Sequence, residues 1–237
     1  MTFTADGVLH VFSEHGVGMT HLSGSSIEQL SLLATRIPLA SYPRFTPAPR
    51  DGLKMSYTAV RANAPGEGGR NNVYVGRLEE SGGIGEEVLA YEHRETYSHR
   101  PHLLEAVDGQ RHLVWSQNFG NGVQRAYYSE SKNGAYWTTP VEIMAPVERQ
   151  RIAELASALD GAGRLHIVVN TRTPPENVYL RRDTDGTWSR PQRLFPSRGV
   201  TGTPPKLVFD SKRGTLHLFA DDASRRIYHT TMTRLNE

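Results

Sequence analysis

The chain of 237 residues contains no cysteine at all. That removes disulfides, thiolate metal sites and cysteine nucleophiles together, and it is compatible with a reducing compartment. Nowhere do apolar residues approach the eighteen or so in a row that a membrane-spanning helix needs. No run of five or more basic residues marks a nucleic-acid tail, and a net charge of +2 is too small to imply a polyanionic partner. Met1-Thr-Phe-Thr-Ala-Asp-Gly lacks a basic segment followed by an apolar one, so no secretory leader is expected and a cytoplasmic location is the default. Sustained apolar spacing at a period of 3.6 is also missing, which argues against a helical protein. No phosphate-binding Gly loop, His-Glu-x-x-His helix or Gly-x-Ser-x-Gly elbow is present.

What the chain does have is a repeat. Five times a turn built on Asp and Gly leads into a short apolar strand: Asp6-Gly-Val-Leu-His-Val-Phe, Asp51-Gly-Leu-Lys-Met-Ser-Tyr, Asp108-Gly-Gln-Arg-His-Leu-Val-Trp, Asp160-Gly-Ala-Gly-Arg-Leu-His-Ile-Val-Val and Asp210-Ser-Lys-Arg-Gly-Thr-Leu-His-Leu-Phe. The leading Asp residues lie 45, 57, 52 and 50 positions apart. A period of about 40–50 residues, carried by short β-branched and aromatic runs between Gly, Pro, Asn and Asp, is that of a propeller. The expected fold is all-β: one five-bladed β-propeller domain of four-stranded antiparallel blades, near 1–40, 41–98, 99–150, 151–200 and 201–237. The fifth module runs out after three strands, so its outer strand is either absent or supplied by Met1–Ala5. Ile27-Glu-Gln-Leu-Ser-Leu-Leu is read as the outer strand of module one.

The strands that pair Leu-His-Val with a Tyr-rich neighbour, and the segments Ser131-Lys-Asn-Gly-Ala-Tyr-Trp137 and Asp183-Thr-Asp-Gly-Thr-Trp188, resemble the sialidase-type propellers with Asp-box repeats. Both segments are shorter than the family's Asp-box, and modules one and two carry Ser23-Gly-Ser-Ser and Glu79-Glu-Ser-Gly-Gly-Ile-Gly there without a Trp. Arg36-Ile-Pro is similar to the family's Arg-Ile-Pro, which bears a substrate-carboxylate arginine, but it falls several residues early for that strand. The resemblance implies a propeller. It implies little about chemistry, because its motifs are turns.

His10, His112, His166 and His217 recur at one register of the second strand, where module two has Lys54. They could form a metal ring, but a residue repeated in every blade is better read as a repeated packing contact. Trp115, Trp137 and Trp188 are read as packing anchors. No cofactor and no metal are expected.

In a propeller, loops entering the first strand and joining second to third form one rim, and such loops carry function. Here that rim spans Ser13–Gly18, Arg36–Arg44, Ala59–Asn72, His93–His102, Gln117–Gly122, Val147–Glu154, Asn170–Glu176, Ser197–Pro205 and Asp221–Arg226. It differs from blade to blade, as a single off-symmetry pocket requires, and it holds Arg36, Arg44, Arg61, Arg94, Arg100, Arg149, Arg151, Arg172 and Arg198. Guanidinium forks suit carboxylate or phosphate oxygens. Tyr97-Ser-His-Arg-Pro-His102 is the densest titratable group. His102, Glu154 and Arg44 are read as matching starts of first strands, and could meet on the axis.

The expected function is a single-site enzyme of hydrolase or lyase character on a small polar, anionic or sugar-like molecule. His102, Glu154 and Tyr97 are the catalytic candidates, since such proton transfer is worth on the order of 10²–10⁴ in rate. Arg44, Arg100, Arg151, His99, Gln117, Asn170 and Arg172 are the ligand-binding candidates. The alternative is a non-catalytic, lectin-like carbohydrate-binding propeller, and a third reading is a protein-interaction platform. The expected partner is a small molecule or glycan, with neither nucleic acid nor membrane; the sequence leaves the oligomeric state open.

Overall fold

The structure, a computed structural model, describes residues 2–3, 7–15, 18–34, 41–48, 52–61, 70–79, 83–92, 97–119, 122–144, 151–173, 175–194, 205–221 and 226–232. They form an all-β, five-bladed propeller of antiparallel blades, one sheet per repeat. The first sheet runs β1 (Thr2–Phe3), β2 (Leu9–His15), β3 (Gly18–Gly24), β4 (Ser31–Ala34). The second runs β5 (Ser41–Ala48), β6 (Gly52–Arg61), β7 (Arg70–Leu78), β8 (Ile84–Tyr91). The third holds β9 (Tyr97–Glu105), β10 (Arg111–Asn118), β11 (Gln124–Ser131) and β12 (Val141–Glu142). The fourth holds β13 (Arg151–Leu159), β14 (Leu165–Thr173), β15 (Pro175–Arg182) and β16 (Gln192–Leu194). Among the described residues the fifth has three strands, β17 (Lys206–Asp210), β18 (Thr215–Asp221) and β19 (Ile227–Met232). No described helix is long and apolar enough to cross a membrane.

Three expectations change. The N-terminal segment does not complete the fifth blade: Thr2 pairs with His10 and Phe3 with Leu9, which makes β1 the first strand of its own blade. Ile27–Gln29 is a 3-10 turn rather than strand, and the outer strand begins only at Ser31. The rim loops are shorter than expected because hairpin pairing continues through them. Asn170 pairs with Asn177 and Arg172 with Pro175, so residues read as loop lie in the ladder.

Two compact units divide the chain, Met1–Arg111 with Glu130–Thr138, and His112–Ser129 with Thr139–Glu237. In the first, Leu53, Met55, Tyr57 and Ala59 alternate along β6 and bury one face with Tyr74 and Leu78; Phe12, Phe45 and Ile84 pack against them. In the second, Ala156, Ala158, Val168, Tyr179, Leu207, Leu216 and Leu218 form the core. The intervening residues of β6 and β14 are buried as well, as expected for strands covered on both faces.

The Asp turns work through the side chain. Asp160 Oδ1 accepts from the backbone N–H of Ala162 and Arg164 at 2.9 Å, and Gly163 takes the left-handed conformation (φ +82°) that closes the loop. The second-strand His is satisfied within its own blade. His112 Nδ1 lies 2.8 Å from Tyr128 Oη, His166 Nδ1 2.7 Å from Tyr179 Oη, and His10 and His217 meet His21 and His229 at 2.8 and 2.9 Å. Lys54 breaks the pattern and reaches Glu105 Oε2 at 2.6 Å.

Candidate functional site

Among the catalytic and ligand-binding candidates, Arg44, Tyr97, His99, Arg100 and His102 belong to the first unit, and Gln117, Arg151, Glu154, Asn170 and Arg172 to the second. Strand register separates two residues that the sequence had matched. Glu154 pairs with Asn170, four residues beyond His166, whereas Arg44 pairs with Ser56, only two beyond Lys54. The register slot of Glu154 is filled in the second blade by Ser41, which pairs with Thr58. A bulge between Ser41 and Arg44 makes the difference.

That bulge carries strain. Tyr42 has φ +54° and Arg100 φ +53°, a conformation rare outside glycine. Each precedes a proline, in Tyr42-Pro43-Arg44-Phe45 and Arg100-Pro101-His102-Leu103, where the chain is otherwise driven to extended geometry. Such backbone costs about 1–3 kcal/mol per residue and clusters at functional sites. The two strained residues touch: the Arg100 guanidinium carbon lies 5.5 Å from the Tyr42 ring centre, and the His99 ring meets Tyr42 edge-on at 5.3 Å. Burial holds the His99 imidazole below its ordinary pKa, and Arg100 adds to this, so His99 is neutral at pH 7. Tyr97 is exposed and His102 half-buried. Ser56 Oγ fixes the backbone on both sides of His102, donating to the Pro101 carbonyl at 2.8 Å and accepting from Leu103 N–H at 3.1 Å. Thr46 Oγ1 donates to the Leu103 carbonyl. Sequence reading missed Tyr42, because the proline that follows it points to extended rather than left-handed backbone.

In the second unit, Glu154, Asn170 and Asn177 face one another across three strands of one blade. Glu154 is 6% exposed and both asparagines are fully buried. Asn170 Nδ2 donates to Asn177 Oδ1 at 2.9 Å, and the Asn170 Oδ1 and Asn177 Nδ2 atoms have no protein partner. Directly opposed residues have Cβ atoms roughly 4.5–5.5 Å apart, so the Glu154 and Asn170 side chains leave the sheet as neighbours. Asn177 was not among the expected residues, because only the hairpin register brings it there. Gln117 is buried, while Arg151 and Arg172 are exposed. Arg151 passes so close to Gly122 that a Cβ there would sit 3.4 Å from Nη2.

Arg36, Arg94, Arg149, Arg198, Glu95 and Glu148 lie outside the described residues, as does the side chain of Arg61. Among the described residues, no group of three or more His, Cys, Asp or Glu is placed to hold a metal ion.

No family model matches the sequence, and no curated protein matches it. Solved structures do match the fold, with five-bladed propeller glycoside hydrolases among them. The α-L-arabinanase of Penicillium chrysogenum, solved with arabinobiose, superposes with a TM-score of 0.65 at 14% identity, covering 98% of this chain and 79% of that one. The α-L-arabinofuranosidase of Fusarium graminearum with arabinobiose gives 0.61 at 13% identity, covering 96% and 78%. A lectin from Burkholderia pseudomallei gives 0.63 at 13% identity, covering 99% and 66%. At these identities the likeness establishes the fold.

Proposed function

We propose that this protein is a carbohydrate-acting propeller enzyme of hydrolase character, taking a small polar, anionic or sugar-like molecule. The observation that carries the reading is the row formed by Glu154, Asn170 and Asn177. It sets a buried carboxylate on the first strand of its blade beside two buried carboxamides. A carboxyl group so placed, among groups that can donate to it or accept from it, is suited to proton transfer. The sugar-cleaving activities named for fold neighbours support the hydrolase class. Sialidase-type kinship through the Trp137 and Trp188 turns belongs to the same reading.

Glu154 is the proposed proton-transfer group of the second unit, with Asn170, Gln117, Arg151 and Arg172 as ligand contacts. In the first unit His102 and Tyr97 are the proposed proton-transfer groups, and Arg44, Arg100 and His99 the ligand contacts. Glycoside cleavage ordinarily needs a second carboxylate. The candidates Glu14, Glu95, Asp221 and Asp222 have side chains outside the described residues. A lyase uses the same proton transfers and is distinguished by an unsaturated product.

One observation favours a second reading, a lectin-like binder. Tyr42 is 38% exposed beside Arg100 and His99, an aromatic face on which a sugar could stack, and a lectin shares the fold. Incubation with neutral and uronate-containing oligosaccharides, scored for new reducing ends and for saturable binding, decides the matter. Turnover supports the enzyme, and binding without turnover supports the lectin. The absence of both turnover and saturable binding would remove both readings.

A further inference from the structure

Asn177 departs from the repeat. Four places beyond the second-strand His, or beyond Lys54 in its stead, each hairpin sets one residue against a partner. The pairs are Glu14 with Met19 in the first blade, Thr58 with Val73 in the second and Asp221 with Ile227 in the fifth. In the fourth blade they are Asn170 and Asn177. Met19, Val73 and Ile227 are apolar, so the scaffold itself does not call for a carboxamide on the third strand. Burying one is unfavourable unless its hydrogen bonds are made, yet both asparagines are fully buried.

Their mutual contact satisfies one end of each amide. Asn170 Nδ2 donates to Asn177 Oδ1 at 2.9 Å, which leaves Asn170 Oδ1 and Asn177 Nδ2 without a protein partner. Turning both amides over exchanges the roles but not the count: one acceptor and one N–H donor are left over. That remainder selects the chemistry of an occupant. An anion offers acceptors alone and would set its charge against the amide oxygen, and a cation would meet the N–H. A hydroxyl suits both, accepting from Nδ2 and donating to Oδ1.

We propose that the Asn170–Asn177 pair binds one hydroxyl group. Its source is a neutral carbohydrate ligand, an assignment that rests on the function proposed above, or a water held in the same position. In the first case the pair reads a sugar hydroxyl next to Glu154, the ladder partner of Asn170, and favours neutral sugars over uronates at that position.

Crystals of the full chain that resolve waters, grown with and without neutral and uronate-containing oligosaccharides, test this. An oxygen within hydrogen-bond distance of both Asn170 and Asn177 is expected without sugar. A sugar hydroxyl in its place assigns the group to the ligand, and an oxygen that bound sugar leaves undisturbed assigns it to water. No oxygen at the pair in either crystal would overturn the proposal, and so would a uronate carboxylate seated there. Asn177→Asp keeps the acceptor for Asn170 Nδ2 and replaces the remaining N–H by an oxygen. A sugar hydroxyl has one hydrogen and cannot donate to both sides, so affinity for a neutral oligosaccharide should fall about tenfold, the effect of one hydrogen bond. Water has two hydrogens and can donate to both, so unchanged affinity assigns the group to water. If no oligosaccharide binds the wild type, the carbohydrate reading fails and the sugar-free crystal still decides the hydroxyl site.

Discussion

His166 Nδ1 lies 2.7 Å from the hydroxyl of Tyr179, and both rings are buried in the fourth blade. The other imidazole nitrogen sits 3.1 Å from Asp160 Oδ2, so one side chain ties the turn to the third strand. Its repeat in His112 and Tyr128 marks a structural device of the blade. Tyr179→Phe leaves a buried nitrogen without this partner and should cost about 1–3 kcal/mol in urea unfolding. His166→Ala adds a cavity and should cost more.

His21 makes stability depend on pH. Burial, helped by the neighbouring His10, lowers its pKa to about 4 from 6.5. The folded state therefore holds the neutral ring while the unfolded chain takes up a proton. This stabilisation is complete above about pH 6.5 and is lost as pH falls toward 4. Thermal unfolding between pH 7 and 4 should show a steeper decline in the wild type than in His21→Phe. Equal slopes would contradict the assignment.

Ser56 is the link that holds His102 in place. Ser56→Ala removes the donor to Pro101 and the acceptor for Leu103, with an expected loss of about 1–3 kcal/mol. The NMR signals of His102 should broaden or shift in this variant, whereas those of His166 in the other unit should not.

Gly134 has φ +76°, and any Cβ there would collide with Arg111. Gly134→Ala should destabilise by about 1–2 kcal/mol from left-handed strain, with a further cost for displacing the guanidinium. A smaller cost of Gly134→Ala in the Arg111→Ala background than in the wild type would assign that part of the loss to the collision.

The blade count, the Asp turns and the second-strand His register were legible because each is written locally and recurs from blade to blade. Local signals of this kind fix where strands begin and which way they alternate. The position of Arg44 was not legible. A one-residue bulge at Tyr42 shifts it out of the slot that Glu154 holds, and that bulge depends on a backbone conformation no composition rule anticipates. Asn177 was hidden for a related reason: its neighbours are chosen by the pairing of β14 with β15, which extends through a segment rich in Thr and Pro that reads as a loop. The short 3-10 turn at Ile27–Gln29 was lost in an apolar run that suited either structure.

The most direct test of the account compares wild type with Glu154→Gln on whichever oligosaccharide the screen identifies, following kcat/KM together with Tm. The account predicts a fall of about 10²–10⁴ in kcat/KM with the melting temperature essentially unchanged. Undiminished turnover in a normally melting Glu154→Gln protein would contradict it.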